Sequence, residues 1–183
     1  MPKRLLLALV ALLLFLPAAQ ARPPEWAQPV PLAGVPNLHK VSDSLYRSAQ
    51  PTAEGMRNLE KLGIRKVINL RAFHSDRDEI AGTRLLDEEL SVKTWHIEDE
   101  DVVRVLRIVK DPAGGPYLIH CLHGADRTGT MVAMVRMVLQ GWPREKAIDE
   151  LVNGGYGFHP IWTNILTYLK TVDVARIRAE VNR

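Results

Sequence analysis

The sequence predicts an α/β domain, a mostly parallel sheet of four or five strands with helices on both faces. Three observations predict it. Short apolar runs alternate with segments of helical period over residues 38–120, the order that places parallel strands beside crossover helices. Next, Met131, Val132, Met134, Val135, Met137, Val138 and Leu139 leave a helix with almost no polar face, which belongs in the middle of a protein. Beyond that helix the period is helical to the end of the chain, so every strand comes before it.

Residues 1–21 stand outside this pattern. Lys3 and Arg4 give a basic start, residues 5–16 an apolar run, and Ala19-Gln20-Ala21 a small-residue cleavage site, the layout of a secretory signal peptide. The run is shorter than the ~20 residues a bilayer-spanning helix needs. The mature chain is therefore expected to begin near Arg22, to be periplasmic or secreted, and to have no stable membrane insertion after cleavage. The leader takes two of the 24 basic residues and none of the 21 acidic ones, so what remains is close to neutral. That balance gives no large field to recruit nucleic acid or an acidic membrane, and neither is expected as a partner. No repeat divides the remainder, which is long enough for one domain.

Residues 22–37 hold five prolines, at 23, 24, 29, 31 and 36, and read as an extended arm leading into a domain over 38–183. Short strands at 39–41 and 45–47 flank the turn cluster Ser42-Asp43-Ser44. A helix over 52–62 has Thr52 as N-cap, Met56, Leu59 and Leu62 on one face, and Gly63 as its stop. Residues 65–70 form a buried strand. Residues 76–90 read as a charged surface helix with Ile80, Leu85 and Leu86 inward, and 91–96 as the next strand. The acidic cluster 98–101 opens a helix whose apolar face is Val102, Val103, Leu106 and Val109, and carboxylates there suit the helix dipole. After a Pro/Gly turn at 112–116 come the strand 117–120 and the apolar helix. Helices over 143–152, 160–170 and near 174–181 complete the chain.

The stretch between that strand and that helix carries the chemistry. Cys121 ends the strand, Gly124 lies in a five-residue loop, and Arg127 and Thr128 open the helix. A loop closing onto a helix N-terminus turns its N–H groups inward and adds the positive end of the dipole, which suits a phosphate. The same field favours a thiolate at Cys121, and Arg127 offers a planar fork for two oxygens. Cys121 is the only cysteine, so no internal disulfide explains it.

His120-Cys121, Gly124, Arg127, Thr128 and Gly129 resemble the phosphate-binding loop of the cysteine-based protein tyrosine phosphatases. Leu45-Tyr46-Arg47-Ser48-Ala49-Gln50-Pro51 and Val67-Ile68-Asn69-Leu70-Arg71 resemble segments of the small dual-specificity-type members from bacteria, plants and fungi. The resemblance spans residues 38–170 and implies the same α/β architecture. It implies that Cys121 is the nucleophile of a metal-independent phosphomonoester hydrolase with no cofactor, working through a cysteinyl-phosphate. Arg127 and the N–H groups of Leu122, His123, Gly124, Ala125, Asp126 and Arg127 would then bind the phosphoryl oxygens, Thr128 would steady the thiolate, and His120 would order the loop from behind. The partner expected is a phosphorylated protein or a small phosphoester. In relatives an Ile-x-Asp segment precedes the helix before the cysteine strand, and Ile97-Glu98-Asp99 resembles it, which makes Asp99 the candidate general acid. Glu98, Asp101 and His96 compete for that role, and Asp99 also suits a plain helix cap.

Other readings stay beside this one. His120, Cys121 and His123 are close in sequence, but zinc needs three or four converging ligands and the glycine and arginine shape this loop for an anion. Inositol phosphates are an alternative substrate, disfavoured by the absence of lysine from the loop. A phosphate-binding pseudophosphatase conflicts with the paired Cys121 and Arg127, and a rhodanese-like sulfur transferase conflicts with Thr128. Arg47, Asn69 and Arg71 lie at strand ends near the loop, where local hydrogen bonds are the simpler reading. Residues 154–160, rich in glycine, suggest a pocket wall.

Overall fold

The computed structural model describes residues 22–183, so the expected signal peptide lies outside the described residues. The elements in order are β1 (Gln28–Pro29), β2 (His39–Ser42), β3 (Leu45–Ser48), α1 (Ala53–Leu62), β4 (Lys66–Arg71), α2 (Arg77–Ile80), β5 (Leu86–Val92), α3 (Asp99–Lys110), β6 (Tyr117–His120), α4 (Asp126–Val138), α5 (Arg144–Asn153), α6 (Thr163–Thr171) and α7 (Val174–Val181). They form one six-stranded sheet of order β1-β2-β3-β6-β4-β5. β3, β6, β4 and β5 run parallel to one another, and the antiparallel β2 and the two-residue β1 extend the β3 edge. The four parallel strands all end on one edge, where ligand sites of such sheets lie.

Strand alternation sorts the two faces. Along β6, Tyr117 and Ile119 join the large core under α3, α4, α6 and α7, while Leu118 joins the smaller core with Met56 and Leu59 of α1. His120, next in phase, is on the Leu118 side and pairs in register with Asn69 of β4. α4 is buried along nearly its whole length, as its uniform apolarity requires. α1 is closed as expected, with Thr52 Oγ1 accepting from the Gly55 N–H at 3.1 Å and Gly63 at φ 98°.

Two elements differ from the sequence reading. Residues 76–90 do not form one helix: α2 is only four residues long, Gly82 turns the chain at φ 79°, and β5 already starts at Leu86. Spacing of Ile80, Leu85 and Leu86 fitted a helix, yet Leu86 is exposed and it is Leu85, Leu90 and Val92 that are buried. The strand pairing Lys66 with Leu86 outweighed local propensity among charged residues. The arm is also no free leader. Ala27 is buried, its N–H reaches Glu150 Oε1 at 2.6 Å, and Gln28 pairs with Lys40, which makes the sixth strand.

Glu150 is the post to which the arm is tied. Its carboxylate receives Arg136 Nε at 2.7 Å and Arg136 Nη2 at 2.8 Å, the Ala27 N–H, and the Tyr156 hydroxyl at 3.1 Å, all buried. Removing one partner of a buried pair strands the other charge. Glu150→Ala is therefore expected to destabilise the fold by roughly 3 kcal/mol. Urea unfolding checks this, with a lower midpoint at unchanged slope.

Candidate active site

Residues 121–125 turn from β6 into α4, and the loop is held by its carbonyl oxygens. Leu122 O accepts from the Gln50 N–H at 3.2 Å, His123 O from Asn37 Nδ2 at 3.0 Å, and Gly124 O from Arg47 Nη2 at 2.7 Å. Cys121 O lies 3.4 Å from His120 Nδ1, and Ala125 O accepts the first helical bond, from Gly129 N at 2.8 Å. These carbonyls are engaged, while the N–H groups of residues 122–125 donate to no partner among the described residues, which suits an anion-binding arrangement. Gly124 sits at φ 67°, and a Cβ there would lie 2.4 Å from the Ser48 carbonyl, so only glycine lets the loop pass β3 this closely.

Cys121 is 2% exposed at the base of this loop. Arg127, in the first turn of α4, sends Nη1 toward Leu70 O at 3.3 Å and Val92 O at 3.5 Å, the ends of β4 and β5. Its Nε and the hydroxyl of Thr128 are buried without a hydrogen-bond partner among the described residues. Thr130 shows what a helical threonine normally does, bonding Asp126 O at 2.8 Å, four residues back. For Thr128 the equivalent carbonyl is that of Gly124, which Arg47 occupies.

The supports are themselves buried and charged. Arg47 is 1% exposed and stacks 3.8 Å over the Tyr156 ring. Burial pulls its guanidinium down to about 10, opposed by Tyr156, Glu150 and Cys121, so it stays a cation at neutral pH. Burial, and then Glu150, push the Tyr156 phenol up to about 12, so it remains a neutral donor. On the other flank, Asp126 binds the His159 N–H and Nδ1, each at 2.9 Å. This pins residues 154–160 beside the loop, with the His123 and His159 rings 5.5 Å apart.

A model of the tyrosine phosphatase family matches residues 35–153. The chain belongs to that family. It is 36% identical over 165 residues to the dual specificity protein phosphatase TpbA of Pseudomonas aeruginosa, covering 87% of this chain and 72% of that one. The crystal structure of P. aeruginosa TpbA superposes with a TM-score of 0.78 at 32% identity, over 87% of this chain and 98% of that chain. A structure of its serine-for-cysteine variant in complex with phosphotyrosine matches equally well, with a TM-score of 0.78. An inositol diphosphatase of Arabidopsis thaliana is 30% identical over 125 residues, 63% of this chain and 60% of that one. The protein is a phosphoester hydrolase of the dual-specificity type.

Within this phosphatase, the loop residues named from the sequence lie together, from His120 to Thr128. Asp99 is occupied elsewhere: at the start of α3 it accepts from the Tyr168 hydroxyl at 2.7 Å and pairs with Arg176, joining α3 to α6 and α7. Asp101 has no ion pair among the described residues, and burial together with Glu98 pushes its carboxyl up. Asn69 follows the simpler reading, bonding His74 O and the Arg71 N–H, whereas Arg71 reaches Gln50 and Arg47 reaches the loop itself at Gly124 O.

Sequence reasoning missed Asp76, which is fully buried with Oδ2 2.6 Å from His120 Nε2 and Oδ1 2.8 Å from Gln50 Nε2. It lay in a segment read as a solvated helix face, and nothing in its spacing marked it. His74, Asp76 and Glu79 bring ligand-type atoms within 4.8 Å of one another. Both Asp76 oxygens are taken by Gln50 and His120, while His74 Nε2 and Glu79 Oε2 have no hydrogen-bond partner among the described residues.

Gly124→Ala tests the close approach to β3. It is expected to cost roughly 1–2 kcal/mol from the left-handed backbone alone. Because the clash moves the loop, inhibition by inorganic phosphate should weaken at least ~10-fold, equivalent to about 1.4 kcal/mol of binding. Phosphate inhibition and thermal unfolding check the two effects.

Proposed function

We propose that the protein hydrolyses phosphomonoesters, phosphotyrosine foremost, through a cysteinyl-phosphate and outside the cytoplasm. The observation that carries this reading is Cys121 at the base of a loop whose carbonyls are engaged and whose N–H groups are not, beside the partnerless Arg127 Nε and Thr128 Oγ1. The Cys121 thiolate attacks phosphorus in line as the ester P–O bond breaks, and a proton passes to the departing oxygen. Arg127 and the loop N–H groups hold the three equatorial oxygens through the transition state. Water then attacks the S–P bond, releasing inorganic phosphate and restoring the thiolate, with the Thr128 hydroxyl donating to the departing sulfur. The arginine fork and the N–H groups supply the charge stabilisation, so no step calls for a metal ion. Placement outside the cytoplasm rests on the signal-peptide pattern expected over residues 1–21.

The phosphotyrosine reading is supported by exposed apolar side chains on the loops that follow the strand ends. Phe73 is 93% exposed on the loop after β4, at φ 65°, a backbone conformation a bulky residue rarely adopts. Trp95 after β5 and Ile161 before α6 are also exposed, and Asn164 Nδ2 ties these two segments at Thr94 O, 2.9 Å. Such apolar side chains suit an aromatic ring and not a polyanion. The inositol phosphate reading draws its support from the Arabidopsis relative. Turnover of phosphotyrosine peptide, phosphoserine peptide and inositol hexakisphosphate with chelator present separates the two, and the phosphotyrosine peptide is expected to lead.

Cys121→Ser should lose turnover by more than ~1000-fold yet still bind substrate, because the hydroxyl keeps the shape but is a far weaker nucleophile at neutral pH. Arg127→Lys should lose both, since a point charge does not replace the fork. Single-turnover kinetics and calorimetry make the comparison, and residual turnover in the serine variant above that limit would remove Cys121 from the reaction.

For the proton donor, residues 98–101 hold the candidate carboxylates, and Asp101 is favoured because it makes no hydrogen bond or ion pair among the described residues whereas both oxygens of Asp99 are held by Arg176 and Tyr168. Asp101→Asn should slow phenyl phosphate much more than p-nitrophenyl phosphate, whose leaving group needs little protonation. Asp99→Asn should slow both alike. The reverse pattern returns the role to Asp99.

A further inference from the structure

Asp76 stands where an aspartate ordinarily caps a helix, yet it makes no side-chain cap to α2. Its carboxylate points inward instead, to His120 Nε2 at 2.6 Å, and both side chains have no solvent exposure. Gln50 Nε2 donates to the other oxygen at 2.8 Å, Gln50 Oε1 receives Arg71 Nη1 at 2.9 Å, and the Gln50 N–H holds the Leu122 carbonyl at 3.2 Å. On its far side the His120 ring meets a second acceptor, as Nδ1 lies 3.4 Å from Cys121 O. Both ring nitrogens thus face oxygens that can only accept. A neutral ring would turn a lone pair toward one of them, whereas an imidazolium donates to both.

We propose that Asp76 is a positioning residue that holds His120 as an imidazolium behind the loop, and that this buried cation favours the Cys121 thiolate. An isolated buried cation next to the nucleophile would lose its proton, and the carboxylate prevents this. Buried ion pairs contribute little net stability compared with apolar packing, so this one makes better sense as electrostatic design than as a staple. Other charged groups facing the pair are His74, with Nε2 3.3 Å from Asp76 Oδ1, Glu79, 3.9 Å from His74, Arg71 through Gln50, and Asp87 on β5. Burial works to raise the Asp76 carboxyl, but the hydrogen bond and charge of His120, with Gln50 and His74, outweigh it and keep it ionised. Asp87 feels that anion: burial first, then Asp76, push it up to about 6.

The inference rests on Cys121 being the nucleophile, and its test reads the thiol and the imidazole directly instead of turnover. The rate of Cys121 alkylation by iodoacetamide is followed against pH in the full mature chain. In Asp76→Asn its midpoint should rise by about one unit, so alkylation at a pH well below both midpoints slows roughly tenfold. In a His120→Gln background the same Asp76→Asn change should move the midpoint no further. Nitrogen-15 chemical shifts of the His120 ring should report a doubly protonated imidazole at pH 7 in the unaltered protein, and this readout stands even where Asp76→Asn does not fold. A neutral His120 at pH 7, or an unmoved midpoint in folded Asp76→Asn, overturns the inference. Either result leaves the phosphatase reading intact, which only the Cys121→Ser experiment can sink.

Discussion

A loop that turns its N–H groups inward to hold a dianion must turn its carbonyls outward, and those carbonyls need donors from elsewhere. That requirement shapes the surroundings of residues 121–125. Gln50 comes from the β3–α1 turn, Asn37 from the segment before β2, and Arg47 from β3 itself. An unpaired buried carbonyl costs about 1–3 kcal/mol, so each tether holds the loop shape against relaxing toward solvent. The binding face is preorganised because the opposite face is saturated. Preorganised donors in a site screened from water are worth more than the same donors free to turn.

The arrangement also places the charges. Arg47 is the largest of the fully buried side chains, and a lone cation there would be prohibitive without Tyr156, Glu150 and the loop carbonyl around it. Its position behind the loop adds positive potential at the site proposed for the phosphate. Arg127 adds the same on the front, anchored by the strand-end carbonyls of Leu70 and Val92. The sheet edge therefore does more than present the loop. Its terminal carbonyls hold Arg127, the side chain proposed to take the phosphoryl oxygens.

How much of this was legible follows from what each signal is made of. The cysteine loop, the central helix α4 and the caps of α1 are local in sequence, and the chain states them outright. The short α2 and early β5 were misread because Ile80, Leu85 and Leu86 imitate a helical face, and only pairing with β4 decides between the two. The partners of the loop lie far from it in sequence: Asp76 is 44 residues from His120, and Arg47 is 77 from Gly124. No periodicity encodes such contacts, and buried charges look like surface charges when read alone. Resemblance did point at the segment holding Arg47 and Gln50, but it supplied no role for either. The partners of the proline arm were not legible for a related reason, since an extended segment carries no local sign of what its backbone will bond.

One consequence is that the loop and the far side of the domain form a single mechanical unit. Glu150 on α5 accepts from the Tyr156 hydroxyl and from the N–H of Ala27 in the arm. The Tyr156 ring carries Arg47, and Arg47 holds Gly124. Asn37 binds both the Tyr156 and His123 carbonyls, closing the path a second time at 2.9 and 3.0 Å. The segment 154–160, which the sequence suggested as a pocket wall, is thus a brace between the arm and the nucleophile loop. A packed brace has discrete arrangements and does not deform smoothly. Loosening it at Glu150 should therefore reach the loop through Arg47, although Glu150 itself makes no hydrogen bond to residues 121–125 among the described residues.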